Sequence, residues 1–70
     1  MTKGIKALLE RLPEKVLVSV NGYKKYLKRN FVLEYAQETK WKARAYVSAL
    51  ADAGLITEAE SRLLYTYITI

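Results

Sequence analysis

The chain has 70 residues, 51 % of them hydrophobic, with 12 Lys or Arg against 7 Asp or Glu, a formal charge of +5 and a pI of about 9.6. It contains no Cys and no His, which excludes disulfides, thiolate zinc sites and Ser-His-Asp or Cys-His catalysis. A chain this short buries only about 60 % of the surface its unfolded form exposes, so stability has to come from apolar packing, with self-association as a further source.

The basic balance favours an anionic partner: nucleic acid, an acidic protein surface or anionic lipid. Three Gly and one Pro are too few for a low-complexity linker. The N-terminal MTKGIKALLERLP interrupts its apolar residues with Lys6, Glu10 and Arg11, so it does not read as a signal peptide. The longest near-apolar run, Val16 to Val20, is far short of the ~20 residues that span a bilayer. A soluble, cytoplasmic protein without a membrane role is expected, as one domain over residues 1–70.

The elements follow in chain order. From Thr2 to Leu12, Ile5, Leu8, Leu9 and Leu12 recur at helical spacing opposite Lys6, Glu10 and Arg11. Pro13 ends this helix. Glu14 to Gly22 is ambiguous. Pro13 can open a new helix that Asn21-Gly22 caps. Alternatively, the β-branched run Val16-Leu17-Val18-Ser19-Val20 and the Asn21-Gly22 pair mark a hairpin over residues 16–27. The candidate return strand, Tyr23 to Lys28, does not alternate cleanly, which favours helix or loop.

Tyr23 to about Gln37 reads as helix: Tyr23, Tyr26, Leu27 and Phe31 share one arc, and Lys24, Lys25, Lys28 and Arg29 the opposite one. Thr39 to Ala53 is an Ala-rich helix with Tyr46, Val47, Ala49, Leu50 and Ala53 as its expected buried face. Gly54 stands where a left-handed cap belongs. Thr57-Glu58-Ala59-Glu60 is a capping box that opens a last helix through Leu63, Leu64, Tyr65, Tyr67 and Ile68. The apolar tail to Ile70 is expected to lie in the core or against a partner.

The predicted fold is all-α: a small bundle of four to five short helices ending in an αα-hairpin. The stretch Ala43-Arg44-Ala45-Tyr46 … Leu50 to Glu60, with the core Ala53-Gly54-Leu55-Ile56-Thr57-x-x-Glu60, resembles the hairpin corner of many small helical proteins. These include SHOCT-type short domains, winged-helix DNA-binding proteins, and small proteins of phages and conjugative elements of Gram-positive bacteria. The resemblance covers about a quarter of the chain. It implies a mobile-element context and transfers no functional residue, because any αα-hairpin can converge on Gly and Thr/Glu caps.

Two basic groups are the candidate nucleic-acid-binding residues. Lys24, Lys25, Lys28 and Arg29, interleaved with Tyr23 and Tyr26, suit phosphate contact; the competing reading is a solvated helix face with its tyrosines in the core. Lys40, Trp41, Lys42 and Arg44 form the second group. An exposed Trp there would stack on bases or anchor an interface, whereas the general burial of large aromatics favours a core anchor.

Glu34 and Glu38 stand one turn apart but are better read as a solvated face pairing with Lys than as a catalytic pair. The glycines Gly4, Gly22 and Gly54 form no phosphate loop. These observations lead to a non-enzymatic binding module without cofactor or metal. The first expectation is a nucleic-acid-binding or accessory protein, with the Gly54 corner as a possible helix-turn-helix, although the last helix has only Arg62 as a cation. The alternatives are a module that regulates a host protein complex through Tyr65, Tyr67, Ile68 and Ile70, and a homodimer whose charge is incidental.

Overall fold

The computed structural model describes residues 3–29 and 32–70. They form four helices: α1 (Lys3–Arg11), α2 (Glu14–Arg29), α3 (Leu33–Asp52) and α4 (Glu58–Thr69). Among the described residues there is no strand. Thr2, expected to start the first helix, and Phe31, expected on the tyrosine arc, lie outside the described residues.

α1 buries Ile5 and Leu8, as its spacing requires, and Leu12, just past its end, is buried with them. After Pro13 a new helix begins, its first backbone bond running from the Leu17 N–H to the Pro13 carbonyl. The hairpin over residues 16–27 does not form. Asn21-Gly22 lies in the middle of α2, neither a turn nor a cap. The reason is periodicity: Val16, Val20, Tyr23 and Leu27 fall at spacings of four, three and four, one continuous stripe that packs into the core. A hairpin would divide that stripe and set Lys24, Lys25 and Lys28 in a returning strand.

A helix running unbroken to Gln37 is also corrected. Val32 is extended (φ −87°, ψ 111°), and α3 starts at Leu33, earlier than Thr39. The stripe of α2 would continue onto Glu34 and Glu38, which are polar. The apolar period restarts in a new phase with Ala36 and Ala43, so the chain turns between the two. Within α3 the buried residues are Ala43, Val47 and Leu50, with Tyr46 half-buried. Ala49 and Ala53, expected in that face, are exposed.

The α3–α4 corner follows its local signals. Gly54 has φ +80°; its N–H reaches the Ala51 carbonyl, and the Leu55 N–H reaches Leu50, each at 3.0 Å. This is a Schellman closure, which a glycine adopts without Cβ strain. Ile56 plugs the corner. The Thr57 hydroxyl then accepts from the Glu60 N–H while the Glu60 carboxylate accepts from the Thr57 N–H.

α4 packs against each of the other three helices. Its Leu64 and Ile68 are sealed from solvent together with Val20, Val47 and Leu8. Ser61, the buried polar residue, is satisfied by donating to the Glu58 carbonyl. Because α3 and α4 run back to back, the start of α4 meets α1 through Arg11–Glu60. Its end meets the second half of α2 through Lys24 and Asn21, which bond Tyr67.

Candidate nucleic-acid interface

The antiparallel arrangement gathers the second half of α2, the first half of α3 and the end of α4 at one end of the bundle. Residues 24–44 hold seven of the twelve cations and two of the seven carboxylates, a net +5; the rest of the chain holds five of each and is neutral. The whole formal charge of the protein therefore belongs to one end.

The first basic group divides. Lys25, Lys28 and Arg29 are exposed. Lys24 is turned inward: its Nζ donates to the Tyr67 carbonyl at 2.6 Å and lies 4.4 Å from the centre of the Tyr67 ring. A cation there satisfies a last-turn carbonyl and opposes the negative end of the helix dipole. Lys24 is thus first a fastener of α4. Together with Lys28 and Lys40 it rims a cavity of about 170 Å³, floored by Leu27, Ala36 and Ile68.

The second group is exposed throughout. Trp41 is 80 % accessible, so it is not a core anchor; on α3 it stands well away from the Ala43, Val47 and Leu50 stripe. Lys40 and Lys42 flank it in sequence, and Arg44 follows one turn on, its guanidinium 5.3 Å from the Tyr65 ring centre. Lys42 pairs with Glu38 at 3.3 Å, both side chains largely in solvent. This gives Glu38 the pairing role expected of it, worth little energetically. Among the described residues, no group of three acidic, His or Cys side chains could hold a metal.

The tail supplies less surface than expected. Ile68 is buried and belongs to the core, while Tyr65 and Tyr67 are half-buried under Arg44 and Lys24. Ile70 remains 81 % exposed.

One feature of this end was not legible in sequence. Between α2 and α3 runs an open groove of about 490 Å³, lined by Gly22, Tyr23 and Tyr26 from α2 and Tyr35, Thr39 and Lys42 from α3. Tyr26 and Tyr35 are about half exposed (46 % and 56 %). Tyr23 is the inner wall, held by a tilted contact with Tyr46 at 5.7 Å. A helical Asn21-Gly22 sets Gly22 and Tyr26 one turn apart on α2 but does not bring Tyr35 and Thr39 of α3 against them.

At the opposite end Arg11 pairs with Glu60. The Thr57 N–H and the Arg11 guanidinium both donate to Glu60, holding its carboxyl below its ordinary value of 4.5. Among the described residues no helix is long and apolar enough to cross a membrane. No family model, curated protein or solved structure matches the chain, so the functional reading rests on its own residues and geometry.

Proposed function

We propose that this protein is a non-enzymatic nucleic-acid-binding module that engages the phosphate backbone through its cationic end. The observation that carries this reading is the segregation of the entire +5 charge into residues 24–44, beside a tryptophan that is 80 % exposed. Clustered cations release condensed counterions on binding phosphate, which gives affinity without sequence reading. Exposed aromatics among them add stacking on bases. Lys25, Lys28, Arg29 and Lys40 are the main phosphate contacts, with Lys42 and Arg44 extending the surface and Trp41 stacking.

α4 is not the contact element: Arg62 is its one cation, and its other faces pack on three helices. A helix-turn-helix role for the Gly54 corner has no support in this arrangement. The test is a charge reversal that spares Lys24: Lys25, Lys28, Arg29 and Lys40 to Glu together. Binding to a labelled random strand, read by anisotropy, is expected to disappear while the helical circular dichroism persists. Retained binding would reduce this face to solvated surface.

A second reading, a protein-interaction surface or homodimer contact, draws on exposed Leu33 (71 %) and Ile70 at the same end. Sedimentation of the wild type against Leu33→Ser addresses it: a dimer dissolved by the substitution supports this reading, and a monomer in both removes the homodimer.

A further inference from the structure

We propose that the tyrosine groove between α2 and α3 seats an unpaired nucleobase, which makes the cationic end selective for single strands. The inference rests on the nucleic-acid reading and adds to it a site and a ligand class.

The first observation is Gly22. It lies inside α2, and glycine is among the least favourable residues for a helix interior. Nothing in the fold demands it. Its φ is not in the left-handed region, and a Cβ built there would meet no atom within 4 Å. Gly22 lines the groove, and with nothing within 4 Å of a Cβ there is open space for a long side chain, such as leucine, to extend over it.

The second observation is the lining. The groove volume, about 490 Å³, falls within the range of about 300–1,000 Å³ over which proteins hold small ligands. Tyr26 and Tyr35, one from each helix, keep much of their ring surface in solvent. Flat, exposed aromatic faces stack on bases of any sequence. Thr39 in the lining carries a hydroxyl that can donate to or accept from a base edge, while the Ser19 hydroxyl donates to the Lys15 carbonyl and Glu38 is paired with Lys42.

The third observation is charge. Lys25 and Arg29 each stand one turn from a groove residue of α2, namely Gly22 and Tyr26, and Lys42 stands on the α3 side. A base carried on a phosphate chain matches this combination better than an aromatic side chain of a peptide, which brings no compensating anion. A base held in a duplex cannot enter, because its faces are already stacked.

The experiment compares oligothymidylate, oligouridylate and a duplex of the same length as probes. The variants are Gly22→Leu, the pair Tyr26→Ala with Tyr35→Ala, and the pair Tyr26→Phe with Tyr35→Phe. The wild type is expected to bind the single strands more tightly than the duplex. Gly22→Leu is expected to weaken single-strand binding at least about fivefold, the lower range of one lost base stack, with duplex binding unchanged. Its melting temperature is not expected to fall, since leucine is the better helix former. The Ala pair should lose as much, and the Phe pair, which keeps the ring faces, should retain binding.

Tighter binding of either strand than of the duplex supports the site; the two strands differ in both the sugar and the 5-methyl group and are read together. Equal affinity for single strands and duplex overturns the groove proposal and leaves the cationic reading standing, as does a Gly22→Leu variant with unchanged affinities. Absence of binding to every probe overturns both. A Phe-rich peptide that binds where the strands do not, and is lost in Gly22→Leu, assigns the groove to a protein ligand and overturns the base site.

Discussion

The two ends of this bundle are built from the same helices but obey different rules. At the α1–α4 end, polar groups are paired locally: Arg11 with Glu60, Thr57 with Glu60 in the capping box, and Gly54 closing α3. At the α2–α3 end, charge is accumulated instead, and Trp41, Leu33 and Ile70 are left in solvent. Lys24, Lys42 and Arg44 there have partners in the fold, but a fold selected for stability alone would have no reason to gather the exposed Lys25, Lys28, Arg29 and Lys40 beside them, since like charges repel. One end secures the fold, and the other is available to a ligand.

That contrast can be broken by mutation, and the expected effects differ in kind. Leu64→Ala, in the sealed centre of α4, is expected to lower stability by about 2–5 kcal/mol in denaturant unfolding; Ile70→Ala, two residues beyond buried Ile68, should change it by less than about 0.5 kcal/mol. The fourfold charge reversal takes the formal charge from +5 to −3. It should lower nucleic-acid affinity more than about 100-fold without unfolding the protein. At the neutral end, Thr57→Ala should cost about 1 kcal/mol of stability, the usual loss of a helix N-cap, and leave binding untouched. Gly54→Ala should cost about 1 kcal/mol for the left-handed φ of +80°.

The smallest effect is pH-dependent. The folded carboxyl of Glu60 is held below 4.5, so the ionised form contributes stability above the unfolded value, and that contribution is lost as pH falls through the folded one. Glu60→Gln should therefore narrow the fall in melting temperature between about pH 5 and pH 3. An unchanged acid limb would show that the Arg11 and Thr57 contacts carry no weight in solution.

Local chemistry at the neutral end was legible from sequence. Gly54, Thr57 and Glu60 act on backbone groups within a few residues of themselves, so their spacing suffices to place the corner. Asn21-Gly22 was misleading for the opposite reason: a strong local turn signal yields to a stripe, Val16 to Leu27, that becomes decisive only when α3 and α4 are packed against it. The general burial of large aromatics does not extend to Trp41, whose phase on α3 sets it away from the buried stripe. The basic residues were found, but Lys24 could not be separated from Lys25 without knowing that Tyr67 stands beside it. The tyrosine groove depends on how α2 and α3 cross, which no spacing along either helix specifies.

The most direct test of the central claim is a salt series on wild-type binding to a labelled single strand. Contacts from Lys25, Lys28, Arg29 and Lys40 should make log affinity fall with log salt at a slope of about −3, as about four phosphate contacts to a single strand require. A slope near zero, or no binding at low salt, would contradict the claim that this end exists to meet phosphate.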